Sequence, residues 1–71
     1  MITKKKLEKF INTPVELLDI DDEKYSGWFI KSNNTYLLLP FDWNEYVHDY
    51  RASHIKAIKF LTNGFEIKEE K

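Results

Sequence analysis

The chain contains no cysteine, which excludes disulfide staples, a thiolate metal site and a thiol nucleophile, and fits a reducing cytoplasm. Its only glycines are Gly27 and Gly64, too few for a loop that cradles phosphate. No long hydrophobic run exists. The longest, Tyr36-Leu37-Leu38-Leu39 with Pro40 and Phe41 behind it, falls far short of the ~20 residues of a membrane-crossing helix. Lys4-Lys5-Lys6 resembles the basic start of an export signal, but Leu7-Glu8-Lys9 breaks any apolar segment at once. A dominant charge is missing too: the formal net charge is -1, so the whole molecule has no field to steer it onto nucleic acid. These absences lead to the expectation of a soluble cytoplasmic protein with no membrane segment.

Aromatic residues are what the chain has in quantity. With 71 residues, of which 15% are aromatic, it is long enough for one domain spanning residues 1–71. A chain of this size buries only about 60% of its unfolded surface, so large rings matter disproportionately to its core. Charge is distributed in alternation. Lys4, Lys5, Lys6 and Lys9 precede an acidic stretch with Glu16, Asp19, Asp21, Asp22 and Glu23. Asp42, Glu45 and Asp49 precede Arg51, Lys56 and Lys59. Such alternation is the pattern of a solvated surface.

Periodicity sets the element order. Leu7, Phe10 and Ile11 recur at helical spacing, Thr3 is an N-cap and Ile2 can staple onto Leu7, which predicts a short helix over residues 4–11 ended by Asn12 and Pro14. Three lysines in its first turn oppose the helix dipole, so this helix needs a docked apolar stripe. Residues 14–20 then alternate as a strand, with Val15, Leu17 and Asp19 on one face and Glu16, Leu18 and Ile20 on the other. A turn at Asp21-Asp22-Glu23 leads to a strand over residues 24–31, interrupted at Gly27 where a bend, bulge or close backbone approach wants no side chain. Asn33-Asn34 forms a hairpin turn into residues 35–39, a strand apolar on both faces that Pro40 ends.

Residues 41–62 admit two readings. Asp42 with Glu45 three later is a capping box, and Trp43, Tyr46, Val47, Tyr50, His54, Ala57, Ile58 and Leu61 share a helical face, which gives an α+β fold with a three-stranded meander and a long helix over 42–62. The favoured reading is a loop followed by a terminal hairpin. Residues 55–62 are rich in strand formers, and an Asn63-Gly64 turn sets Phe60 opposite Ile67 and Thr62 opposite Phe65. The expected fold is therefore mainly β with an N-terminal helix: a small five-stranded, bent and partly open barrel over residues 14–67, with a charged tail over 68–71.

Chemistry for catalysis is thin. None of Ser26, Ser32 and Ser53 sits in a glycine-flanked strand-to-helix elbow, so no serine nucleophile is exposed. His48-Asp49 and His54 lack neighbouring ligands at metal spacing, and Asp21-Asp22-Glu23 lacks the spacing of a calcium loop. The expectation is a protein that is not an enzyme, with no cofactor, no metal and no small-molecule substrate. The richest binding segment is the loop over residues 41–50, where Phe41, Trp43, Tyr46 and Tyr50 alternate with acids. Trp and Tyr anchor protein interfaces well, whereas Asp42, Glu45 and Asp49 would repel phosphate. The competing reading is that these rings only cover the open end of the barrel.

The organisation as a whole resembles the Sm-like family, or more broadly an SH3-like barrel. Residues 15–20, Gly27 and Asn33-Asn34-Thr35-Tyr36-Leu37-Leu38 resemble the first Sm motif, and Tyr50-Arg51-Ala52-Ser53-His54-Ile55 resembles the second. The chain departs from the family pattern in lacking the aspartate before the turn asparagine and in having Ala52 where the family pairs arginine with glycine. The resemblance implies subunits that assemble through strand edges, and RNA contacts at Asn33, Asn34 and Arg51, with Lys56 and Lys59 as further basic residues. Protein binding or self-association through the aromatic loop is thus the primary expectation and Sm-like RNA binding the alternative.

Overall fold

The computed structural model describes residues 1–42 and 44–69, so Trp43 and residues 70–71 lie outside the described residues. One short helix, α1 (Lys4–Leu7), continues into a 3-10 turn (Glu8–Phe10), and six strands follow: β1 (Thr13–Asp19), β2 (Lys24–Ser32), β3 (Thr35–Pro40), β4 (His48–Tyr50), β5 (Ile55–Phe60) and β6 (Glu66–Lys68). A second 3-10 turn, Ala52–His54, joins β4 to β5. The strands form one antiparallel sheet in the order β4-β3-β2-β1-β5-β6. The chain is mainly β, with one short helix at its start. No helix among the described residues is long and apolar enough to cross a membrane.

The amino end folds as its residues dictate. Thr3 Oγ1 accepts from the Lys6 amide at 3.3 Å and caps α1, while Ile2, Leu7 and Phe10 are buried. That docking holds a helix whose lysines work against its dipole. Asn12, at φ 65°, stops the helix in the left-handed region, and its amide donates to the Phe29 carbonyl at 2.6 Å. Val15, Leu17, Phe29, Tyr36, Leu38, Ile55 and Ile58 bring one face of the sheet into the same core. Phe10 stacks on Phe60 with centroids 4.1 Å apart, and Phe29 on Tyr36 at 5.1 Å.

The expected five-stranded barrel is corrected in two respects. There are six strands, and the sheet is not closed into a barrel: β4 and β6 are its two ends. The additional strand, β4, has only three residues, too few to show a period. It also occupies the centre of the long helix envisaged over 42–62, which does not form. Of the helical signals there, one turn survives, with the Glu45 amide bonded to the Asp42 carbonyl at 2.9 Å and the Asn44 amide to Asp42 Oδ1 at 2.9 Å. From residue 48 onward, backbone pairing with Leu38, Leu37 and Tyr36 replaces the helical ladder.

Both hairpins exist. Ser32 pairs with Thr35 across Asn33-Asn34, Asn33 takes φ 54°, and Thr35 Oγ1 donates to the Ser32 carbonyl at 2.9 Å. In the second hairpin the register differs from expectation by two residues, since Ile58 rather than Phe60 lies opposite Ile67. The loop is longer because Leu61 donates to the Pro14 carbonyl at 3.1 Å and so stays with β1. Asn63 Oδ1 accepts from the Phe65 amide, and Gly64, at φ 77°, donates to the Phe60 carbonyl. A shift of two preserves which face each side chain occupies. Lys68, expected in a charged tail, belongs to β6, and the Glu69 amide extends the pairing to the Lys56 carbonyl at 2.8 Å.

Gly27 sits opposite Pro40 on β3 and Val15 on β1. A Cβ there would lie 2.2 Å from the Leu39 carbonyl oxygen, so the two backbones approach where no side chain fits. Gly64 differs, because a Cβ there meets nothing within 4 Å and only its positive φ matters. Gly27→Ala is expected to cost at least about 1–3 kcal/mol through overpacking, and Gly64→Ala about 1–2 kcal/mol through left-handed strain alone. Chemical denaturation of the two variants should rank them in that order.

Candidate functional site

The β2–β3 hairpin is apolar on both sides, and only one side faces the core. Its turn fixes Ile30 opposite Leu37 and Trp28 opposite Leu39 on the outer face, while Phe29 and Leu38 point inward. On the other flank Pro14 pairs with Trp28, and Leu61 bonds to Pro14. A transverse row, Leu61-Pro14-Trp28-Leu39, therefore crosses the outside of the sheet. β4 begins at His48, opposite Leu38, and Val47 just before it is exposed. Trp28 is 44% exposed and Phe41, which meets it edge-on at 6.2 Å, is 53% exposed. A contiguous exposed apolar stripe is uncommon on a surface that has no partner.

Further along the same strands the outer face becomes charged. Lys59 lies 3.4 Å and Lys24 4.0 Å from Glu16, and Lys68 lies 3.5 Å from Glu66. Glu16, Lys24, Glu66 and Lys68, with Lys56 and Glu69, rim a groove of about 500 Å³ over Leu18 and Ala57. Lys56, the extra residue in a bulge opposite Leu18 and Asp19, bonds to Asp22, and that carboxylate raises its pKa. Exposed pairs of this kind contribute at most about 1 kcal/mol each, but they neutralise this half of the surface.

The residues expected to bind partners separate. Phe41 and Tyr46 are exposed, Tyr46 by 87%, and both line a groove of about 690 Å³ between β2 and the loop after β3. Trp43 lies outside the described residues. Tyr50 is not a surface residue: it is 8% exposed, and its hydroxyl donates to Asp19 Oδ2 at 3.4 Å. The expected RNA contacts are likewise dispersed. Asn33 and Asn34 form the β2–β3 turn, and Arg51 follows Tyr50, the register partner of Tyr36, near that end of β3. Lys56 and Lys59 lie on β5, across β1 and β2, each engaged with a carboxylate.

Two features were missed at the sequence level. The outer row was legible in principle, since the Asn33-Asn34 turn alone sets Trp28 opposite Leu39. The sequence shows the strand over residues 35–39 as apolar on both faces but not which face stays outside, and β3 does lie inside the sheet, between β4 and β2. The second is Asp19, 8% exposed, which holds the β1–β2 turn by accepting from the Asp21 and Glu23 amides at 2.9 and 3.1 Å. Around it, Tyr25 stacks on His48 with centroids 4.0 Å apart and donates to Glu23 Oε2 at 2.6 Å. Among the described residues, no group of three or more His, Asp or Glu is placed to hold a metal ion. Comparison with protein-family models, curated proteins and solved structures finds no match to this chain.

Burial, then the neighbouring Asp19 carboxylate, pushes the Tyr50 phenol well above its ordinary value of 10.0. Burial, then Glu8, raises Tyr36 as well. Above about pH 10 the unfolded chain releases these protons while the native protein retains them. Their contribution is complete below about pH 10 and is lost as pH climbs toward the folded values. Urea unfolding at a series of pH values should show stability falling on the alkaline side, with a shallower fall in Tyr50→Phe. An identical alkaline slope in that variant would exclude Tyr50 as a source.

Proposed function

We propose that this chain is a non-enzymatic protein-binding module that associates with copies of itself across the outer face of β2 and β3, together with the start of the loop after β3. One observation carries the reading: the outer-face row Leu61-Pro14-Trp28-Leu39, in which Leu61 and Trp28 are exposed and Pro14 and Leu39 half-buried, with exposed Phe41 edge-on to Trp28. Two such faces stacked in an isologous pair would bury rings against rings. The small net charge and the paired lysines and glutamates beside the row mean that two copies meet without strong repulsion.

The small-barrel resemblance belongs to the same proposal. The order β4-β3-β2-β1-β5, the single helical turn between β4 and β5 and the helix before β1 support kinship with Sm-like or SH3-like domains, with β6 as an addition. RNA binding through Arg51, Lys56 and Lys59 has weaker support, because the two lysines already have carboxylate partners.

Sedimentation over a range of protein concentrations tests the reading. The wild-type chain should show concentration-dependent association, and Trp28→Gln should be monomeric while keeping the native far-UV circular dichroism, because Trp28 lies outside the core cluster. A strictly monomeric wild-type protein, or a Trp28→Gln variant that associates equally well, would remove the proposal's central residue.

A further inference from the structure

We infer that the groove between β2 and the loop after β3 receives a cationic side chain, arginine or lysine, from a basic segment of a partner protein. The inference deepens the protein-binding reading and uses a surface that adjoins the outer row at Phe41.

The groove holds about 690 Å³ and is lined by Tyr25, Phe41, Tyr46 and His48, with Asp42 and Glu45 among its walls. Tyr25 and His48 are already stacked, and the 2.6 Å hydrogen bond from the Tyr25 hydroxyl to Glu23 makes its ring more electron-rich. Tyr46, 87% exposed, contributes almost nothing to the core. A ring placed this way is available to a ligand, and aromatic faces attract cations through their quadrupoles.

Electrostatics select the sign of the ligand. Among the described residues the ion pairs engage Glu8, Glu16, Asp22, Glu66 and Glu69, and none involves Asp42 or Glu45. Lys24, the lysine in this groove, is 4.0 Å from Glu16 on the outer face. With two carboxylates against this one lysine, the walls keep a net negative charge. An anion would be repelled, and an apolar ligand would strip water from two carboxylates without repaying them. A guanidinium or ammonium satisfies both features at once, by Coulomb attraction to the acids and by stacking on the rings.

At one end the groove meets Phe41, which abuts Trp28, so a peptide leaving the groove runs onto apolar surface.

The test titrates the ¹⁵N-labelled full chain with the peptide Gly-Arg-Gly-Arg-Gly, with a matched Gly-Glu-Gly-Glu-Gly peptide and with tetramethylammonium, following amide shifts. Among the described residues, the arginine peptide should give saturable shifts confined to 24–26, 41–42 and 44–48, and the glutamate peptide none. Tyr46→Ala should weaken binding about two- to fivefold, and the double variant Asp42→Asn, Glu45→Gln about three- to tenfold. All three positions are exposed, and unchanged signals from Tyr36 and the Asp19 turn report that the variants are folded. Shifts that never saturate, binding indifferent to Tyr46→Ala, or tetramethylammonium binding as tightly as the peptide would each overturn the inference. A chain that self-associates but ignores the peptide refutes this inference alone. A chain that binds the peptide but stays monomeric refutes only the self-association.

Discussion

An open sheet with little more than a helical turn above it can bury its inner face only by curling, and the close approach of Gly27 to the Leu39 carbonyl is where β2 and β3 draw together. β2 is the longest strand and lies between β1 and β3, so its path sets the relation of the strands on either side. The consequences reach the edge of the sheet. His48 and Tyr50 of β4 fold back to Tyr25 of β2 and Asp19 of β1 by ring stacking and a hydroxyl–carboxylate bond, so side chains join what no backbone ladder joins. Tyr36, whose buried hydroxyl has no hydrogen-bond partner among the described residues, is held by its stack on Phe29. There packing outweighs the cost of stripping water from one hydroxyl.

The curled sheet presents two kinds of outer surface along the same strands. Near the start of β1 it is apolar, with Trp28 at the centre. Near the end of β1 it is an ion-paired lattice of Glu16, Lys24, Lys59, Glu66 and Lys68. The loop after β3 stands beside the apolar part and carries Asp42 and Glu45, which no ion pair among the described residues engages. The proposed roles follow from that division, with a hydrophobic face for a second copy and an aromatic, acidic groove for a basic chain.

Legibility in the sequence varied with the range of the deciding interaction. Asn33-Asn34 was readable because a two-residue turn fixes its own register. Asn63-Gly64 was readable as a turn but not in register, because Leu61 bonds to Pro14, a partner 47 positions away by subtraction of their numbers. β4 was illegible, since three residues carry no period and its pairing with β3 depends on where the preceding loop returns. Tyr50 looked like a loop aromatic and proved a core residue, because Asp19, 31 positions away, accepts its hydroxyl.

Local chemistry, then, was enough for the capped helix start at the amino end and the Asn33-Asn34 turn, and it favoured without deciding a β-rich class, a hairpin turn at Asn63-Gly64 and a close backbone approach at Gly27. These depend on φ preferences, capping and side-chain alternation, which act between near neighbours. Tertiary structure alone decided that the sheet has six strands and stays open, that Tyr50 is inside while Trp28 is outside, and which carboxylates lack a partner. Those outcomes depend on pairings between strands far apart in the chain, whose energies exist only once the sheet has curled.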